Sequence, residues 1–199
     1  MLRVRTYYDF ASTLCYVAHR VFGEMHGDIE SLGVELEWVP LDLADLLGWP
    51  RGVEVAPERL RNAERVAQEH GVAVQPLRVW PDSRDANAAA LLLARGPQEA
   101  AFRERVWSAV FEERRVLDAP GTLEACARDV GVTLDARRLE RARDELDFRT
   151  EVAASEDVTG VPTLMLGEFP FGGIQSRETM RLVLERWTRK RMAGSRPHG

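Results

Sequence analysis

The sequence predicts an α/β fold in which a β-α-β half and a β-β-α half are separated by a large all-helical insertion. Three observations carry this expectation. Strand-like alternation marks the first forty residues, nothing strand-like occurs between about 45 and 155, and a short apolar run returns after Pro162. A chain of 199 residues suffices for one sizeable core, or for one core carrying an inserted subdomain. The expected division is 1–44 with 156–192 for the α/β part, 45–155 for the helical subdomain, and 193–199 for a disordered tail.

Residues 2–8 (LRVRTYY) alternate well enough for a strand. From Leu14 the apolar positions Cys15, Val17, Ala18, Val21, Phe22 and Met25 follow helical spacing, with Gly27 as the stop. In 33–40 (GVELEWVP), Val34, Leu36 and Trp38 alternate with Glu35, Glu37 and Val39, a strand ended by Pro40. The connection is long enough for a parallel crossover. After a Pro- and Gly-punctuated stretch at 48–57, helices are expected at 58–70, stopped by Gly71, and at 85–95, ended by Gly96-Pro97. A further helix at 98–115 has a broad buried face carrying Phe102, Val106, Val110, Trp107 and Phe111. Leu123, Cys126, Ala127 and Val130 form a short stripe closed by Gly131, and Asp135 is suited to cap a charged helix reaching about 148. Then 162–166 reads as a strand and Gly167-Glu168 as a tight turn, with Phe169-Pro170-Phe171 pairing back as a hairpin. Ser176 caps a last helix to 192. No internal repeat is evident.

Composition narrows the function classes. Apolar residues make up 45% and charged residues 30%, ordinary for a globular protein. A net charge of −5 argues against nucleic acid as the main partner. Lys190 is the only lysine, so the positive charge is almost all arginine. The N-terminus lacks a secretory apolar segment and no window approaches a membrane span, so a cytoplasmic protein without a membrane partner is expected. Cys15 and Cys126 lie far apart and imply no disulfide framework. The four histidines show no zinc spacing, so no metal is expected.

The stretch Ser12-Thr13-Leu14-Cys15, where the first strand gives way to the first helix, has the spacing of a redox C-x-x-C motif with serine in the first place. A thiol at such a helix start has a lowered pKa and attacks disulfides. A serine hydroxyl has no redox couple, but it can donate a hydrogen bond to a bound thiolate. Equally, Ser12 suits a plain N-cap. Cys15 shares an apolar face with Ala18 and Phe22 and reads as a buried small hydrophobe. His19, four residues on, could lower the Cys15 pKa, but reads rather as a solvated helix residue. Cys126 reads as core, and Pro162 as either a strand-start or a cis proline.

Asp9-Phe10 before the four-residue site, Tyr16 after it, the helical insertion, Thr159-Gly160-Val161-Pro162-Thr163 and Gly173-Ile174-Gln175 occur in the order of a known family. On these marks, which span nearly the whole chain, the sequence resembles the DsbA superfamily of thioredoxin-like proteins, in its FrnE-like and hydroxychromene-carboxylate isomerase branches. The resemblance implies a thioredoxin-like fold with Pro162 as a cis-proline facing the site and Cys15 in the place of the resolving thiol. It also implies that the Val161 backbone can pair with an extended peptide or with glutathione, that Gln175 contacts a γ-glutamyl group, and that Asn87 touches substrate from the part of the insertion that lids the site. Where oxidoreductase members carry cysteine, this sequence has Ser12, as the isomerases and kappa-class glutathione transferases do.

The leading expectation is a thiol-disulfide oxidoreductase-type protein with weak dithiol exchange, catalytic residues Ser12 and Cys15, and Val161, Pro162, Gln175 and Asn87 for substrate. Two others stand beside it. One is a glutathione-dependent isomerase or transferase in which Ser12 holds the thiolate, and the other is a non-catalytic binding module. No tightly bound cofactor is expected; glutathione is the one small molecule left open. The partners expected are a small thiol or peptide substrate and, as assembly, a homodimer.

Overall fold

The computed structural model describes residues 1–194. Strands β1 (Leu2–Tyr8) and β2 (Val34–Pro40) pair in parallel from Leu2 opposite Val34 to Tyr8 opposite Pro40. They are joined by helices α1 (Thr13–Glu24) and α2 (His26–Ser31). Strand β3 (Thr163–Leu166) runs antiparallel to β1, and β4 (Phe169–Gly172) antiparallel to β3, which gives the order β2-β1-β3-β4. β3 is buried along its whole length, as a short strand of mostly apolar residues is when both faces are covered. Gly167 makes the β3–β4 turn with φ +75, and a side chain there would strike the Arg191 guanidinium. Helix α9 (Arg177–Gly194) follows β4, with the Thr179 N–H donating to Ser176 Oγ.

Between β2 and β3 lie α3 (Leu43–Leu47), α4 (Pro57–Glu69), α5 (Arg84–Leu93), α6 (Glu99–Trp107), a π-helical turn Ser108–Glu112, α7 (Thr122–Asp129) and α8 (Ala136–Ser155). Among the described residues the only β pairing in this region is one isolated bridge, Glu54 with Val79. Several boundaries differ from the sequence expectation. Gly27 does not stop the first helix; α1 ends at Glu24, Met25 leaves helical geometry at ψ 2, and Gly27 sits inside α2. The α3 helix was invisible to periodicity because five residues make little more than one turn. Its start is fixed by Asp42, whose side chain accepts from the Asp45 N–H at 3.2 Å. α8 continues past 148 to Ser155, carried by Thr150 and Ala153, which point inward after the exposed Phe148. α9 extends two residues into the segment expected to be a disordered tail; residues 195–199 lie outside the described residues.

The sheet has a different core on each side. Val4, Leu164 and Leu166 pack with Val17, Val21 and Phe22 of α1 and Met180 and Leu184 of α9. The other core joins the end of β1 to the insertion through Tyr8, Phe10, Phe102, Val106 and Trp107. Trp107 is its centre. Its ring lies 5.3 Å from Tyr8, 5.3 Å from Phe10 and 5.7 Å from Trp38, all edge-on or tilted. The insertion is thus fastened to the sheet by aromatic burial at the very point where β1 ends.

Trp107→Ala should therefore destabilise the protein by about 3–5 kcal/mol, the usual cost of emptying a large aromatic site. Urea unfolding measures this, and a loss below about 1 kcal/mol would show that the aromatic node is not what joins the two parts.

Candidate active site at the first strand-helix junction

The chain turns from β1 into α1 within four residues. The Ser12 N–H donates to the Asp9 carbonyl at 3.1 Å. Asp9 Oδ1 accepts from the Ala11 N–H at 2.7 Å, and Oδ2 accepts from the Leu43 N–H at 2.8 Å. Asn87, from α5, accepts the Phe10 N–H at 3.2 Å and donates to the Leu41 carbonyl at 3.0 Å and to Ser83 Oγ at 3.3 Å. Ser12 then holds extended geometry (φ −84, ψ 112), and its Oγ accepts the Cys15 N–H at 3.3 Å. This is an N-cap, and it faces a cavity.

The cavity has a volume of about 540 Å³. Ser12 and Thr13 form one side, and Thr159, Gly160 and Val161 a second. The insertion supplies the third, with Leu43, Leu77, Trp49 and Trp80 among its residues. Trp49 and Trp80 meet edge-on at 5.5 Å, and the Arg59 guanidinium lies 3.7 Å from the Trp49 ring centroid. Arg59 makes no ion pair among the described residues. The Val161–Pro162 bond is cis, and the Pro162 carbonyl accepts the Gly173 N–H at 2.8 Å. Neither backbone polar group of Val161 has a hydrogen-bond partner among the described residues.

Cys15 lies one turn deeper with 0% exposure, and it does not line the cavity. Burial pushes its thiol up to about 12, against the opposing pull of the Ser12 hydroxyl and the Asp9 backbone. Cys15 is thus a protonated core thiol at neutral pH. Cys126 is also buried, on α7, and its thiol is likewise pushed up by burial.

Two sequence expectations are corrected here, and a third residue falls outside the cavity wall. His19 is not solvated: its ring packs 4.6 Å from Trp107 and 5.7 Å from Trp38, it bonds Glu104, and burial lowers its pKa. Asn87 does not touch the cavity; it is fully buried, and its amide is spent on Phe10, Leu41 and Ser83. Gln175 is exposed between β4 and α9 and is not part of the cavity wall. The structure brings together Ser12 and Val161, with Pro162 immediately after. Sequence reasoning missed Trp49 of the Pro- and Gly-punctuated stretch, Arg59 of α4 and Trp80 of the connection between α4 and α5; the Trp49-Pro50 and Trp80-Pro81 pairs were the available signal.

Among the described residues no group of histidine, cysteine and acidic side chains could hold a metal ion, and no helix is long and apolar enough to cross a membrane. The site therefore offers a hydroxyl donor, a helix N-terminus, a free backbone edge and an apolar aromatic wall.

A family model for the DSBA-like thioredoxin domain matches residues 3–185. No curated protein matches the chain by sequence. Among solved structures, a 2-hydroxychromene-2-carboxylate isomerase is similar with a TM-score of 0.74 at 22% identity, covering 98% of this chain and 100% of its own. A probable DsbA oxidoreductase from Streptomyces coelicolor aligns at 0.71 and 21% identity, covering 98% and 92%. The cytosolic disulfide reductase DsbM from Pseudomonas aeruginosa, solved with GSH, aligns at 0.64 and 16% identity, covering 97% and 98%. At these identities the likeness is one of fold.

The buried thiols give a direct expectation. Native protein should react with neither iodoacetamide nor an aromatic disulfide reagent at about pH 8, and both cysteines should react in guanidinium. Rapid labelling of Cys15 in the native state would contradict its placement.

Proposed function

The chain belongs to the DSBA-like thioredoxin domain family, and within it we propose a protein whose working thiol arrives with its ligand: a glutathione-dependent isomerase or transferase that uses Ser12. The observation that carries this reading is that Ser12, and not Cys15, faces the cavity. A two-thiol cycle needs an exposed attacking thiol and a second within reach. Here the place that faces the cavity is a hydroxyl and the remaining thiol is held protonated in the core.

The chemistry follows from the parts. Ser12 accepts with its oxygen from the Cys15 N–H, and its own hydrogen, which also lies within reach of the Cys15 sulfur, turns to a ligand sulfur when one is bound. That donation, with the positive end of α1, favours the ligand's thiolate over its thiol. The unpaired Val161 backbone pairs with the peptide part of glutathione, and Arg59 offers its charge to a carboxylate. A second substrate with an electrophilic carbon lies against Trp49, Trp80 and Leu77. The thiolate sulfur adds to that carbon, and the bonding pair it displaces takes up a proton from solvent. Return of that proton to solvent with loss of the same sulfur, after a bond rotation, regenerates the glutathione thiolate and leaves an isomer; retention of the new carbon–sulfur bond leaves a conjugate. A cytoplasmic setting, where glutathione is the abundant thiol, fits this reading.

Calorimetric titration with glutathione tests it. Binding is expected, weakened roughly ten- to a hundredfold in Ser12→Ala by the loss of a charge-assisted hydrogen bond, and changed less than about twofold in Cys15→Ala. Wild-type protein should not reduce insulin, whereas Ser12→Cys should gain dithiol exchange, since it restores a two-cysteine motif. Brisk exchange by the wild type that Cys15→Ala abolishes would overturn the proposal in favour of a monothiol oxidoreductase.

A further inference from the structure

Asp9 is 0% exposed and absent from the cavity wall, yet its carboxylate is the group on which two walls meet. Oδ1 holds the Ala11 N–H and Oδ2 the Leu43 N–H, and Ala11, Ser12 and Leu43 all line the cavity. We propose that Asp9 is the positioning residue of this cavity: its ionised carboxylate sets the spacing between the wall that carries Ser12 and the wall supplied by the insertion, so that capture of a thiol peptide depends on its charge. The inference rests on the reading of the cavity as a glutathione-type site.

The geometry separates this role from simple support. Asn87 already ties the same two segments by neutral bonds to Phe10 and Leu41, and Leu41 N–H donates to the Tyr8 carbonyl at 2.9 Å. The junction is therefore anchored without Asp9. What Asp9 adds is one negative charge divided between two amides from opposite walls, and such charge-assisted bonds are stronger and more directional than neutral ones. Among the described residues no arginine or lysine pairs with it. The charged and titratable groups facing it are Asp42, whose own carboxylate is bound by Arg51, together with the Cys15 thiol and the Tyr8 hydroxyl, both held protonated by burial; the Ser83 hydroxyl also bonds it.

These surroundings place its titration in a useful range. Burial, aided by Asp42, pushes the Asp9 carboxyl up to about 6, while the Leu43 and Ala11 amides and Ser83 pull it back down. It is ionised at neutral pH and takes a proton as the pH falls through that value. A carboxyl raised in the folded state binds its proton more tightly than in the unfolded chain. Its contribution to stability is therefore present at acid pH and lost as the pH rises through about 6. Ligand capture runs the other way, being best where Asp9 is charged. A residue with only a structural role would move both together.

The test uses S-methylglutathione, whose sulfur does not ionise, titrated calorimetrically against the full-length protein between about pH 5.5 and 7.5. Wild type should lose about threefold in affinity between about pH 7.5 and 5.5, because with a midpoint near 6 about a quarter of Asp9 is still ionised at the acid end. Asp9→Asn should bind about tenfold more weakly at pH 7.5 with a flat profile, and its melting temperature should not fall in proportion. A flat wild-type profile, or an unchanged profile in Asp9→Asn, overturns the inference. The amide resonances of Ala11 and Leu43 in ligand-free wild type provide the second measurement, and they decide even if the variant fails to fold. A shared midpoint near 6 supports the two-oxygen tie; separate midpoints, or none, overturn it. If the analogue binds at no pH while the amides still titrate together, it is the glutathione reading that fails and not the tie.

Discussion

The way the chain leaves β1 is the constraint on which the site depends. Tyr8 ends the strand and Ser12 caps the helix, so Asp9, Phe10 and Ala11 must reverse the backbone within a buried space. Each N–H there would cost on the order of 1–3 kcal/mol if left unsatisfied. The sequence meets that demand from the chain itself and from the insertion: the Asp9 carboxylate for Ala11, the Asn87 amide for Phe10 and the Asp9 carbonyl for Ser12. Phe10 contributes by burial, its ring edge-on to Tyr8 at 5.2 Å and to Phe102 at 6.3 Å. Because these partners come from different parts of the chain, the junction and the insertion are built as one object.

From that geometry the chemistry divides by depth. In the stretch from Ser12 to Cys15, the first residue meets the cavity and the fourth meets the core. A thiol in the first place would be acidified by the helix end, but in the fourth it is made less acidic by burial. With serine in the first place, the fold keeps the means to stabilise a thiolate while lacking one of its own at the surface. It can then act on a sulfur that a ligand brings, and the aromatic wall around Trp49 and Trp80 gives that ligand's partner an apolar place to lie.

Much of this was legible in the sequence. Alternation in LRVRTYY and GVELEWVP marked two parallel strands, because half-buried strands must alternate. Serine before an apolar helical run marked the cap at Ser12, and the short run after Pro162 marked the central strand β3. What stayed hidden depends on contacts between distant segments. His19 looked solvated because periodicity along α1 cannot reveal that Trp107 of α6 covers it. Asn87 stood out as the polar residue in an Ala/Leu helix, but only the fold shows that it turns toward the Phe10 amide rather than a substrate. Gln175 was placed by resemblance, and its exposed position between β4 and α9 could not be read locally. The tryptophan wall was hidden for a further reason. A stretch rich in proline and glycine announces turns, and turns alone do not say which way their side chains face.

The central claim is that the reactive sulfur belongs to the ligand. The ultraviolet absorbance of thiolate, followed against pH with and without glutathione, measures this most directly. The protein alone should show no thiolate at neutral pH. With glutathione bound, one thiolate should appear and titrate below the ordinary thiol range near about 8.5, and Ser12→Ala should return it to that range. A neutral-pH thiolate in the protein alone, lost on Cys15→Ala, would contradict the account.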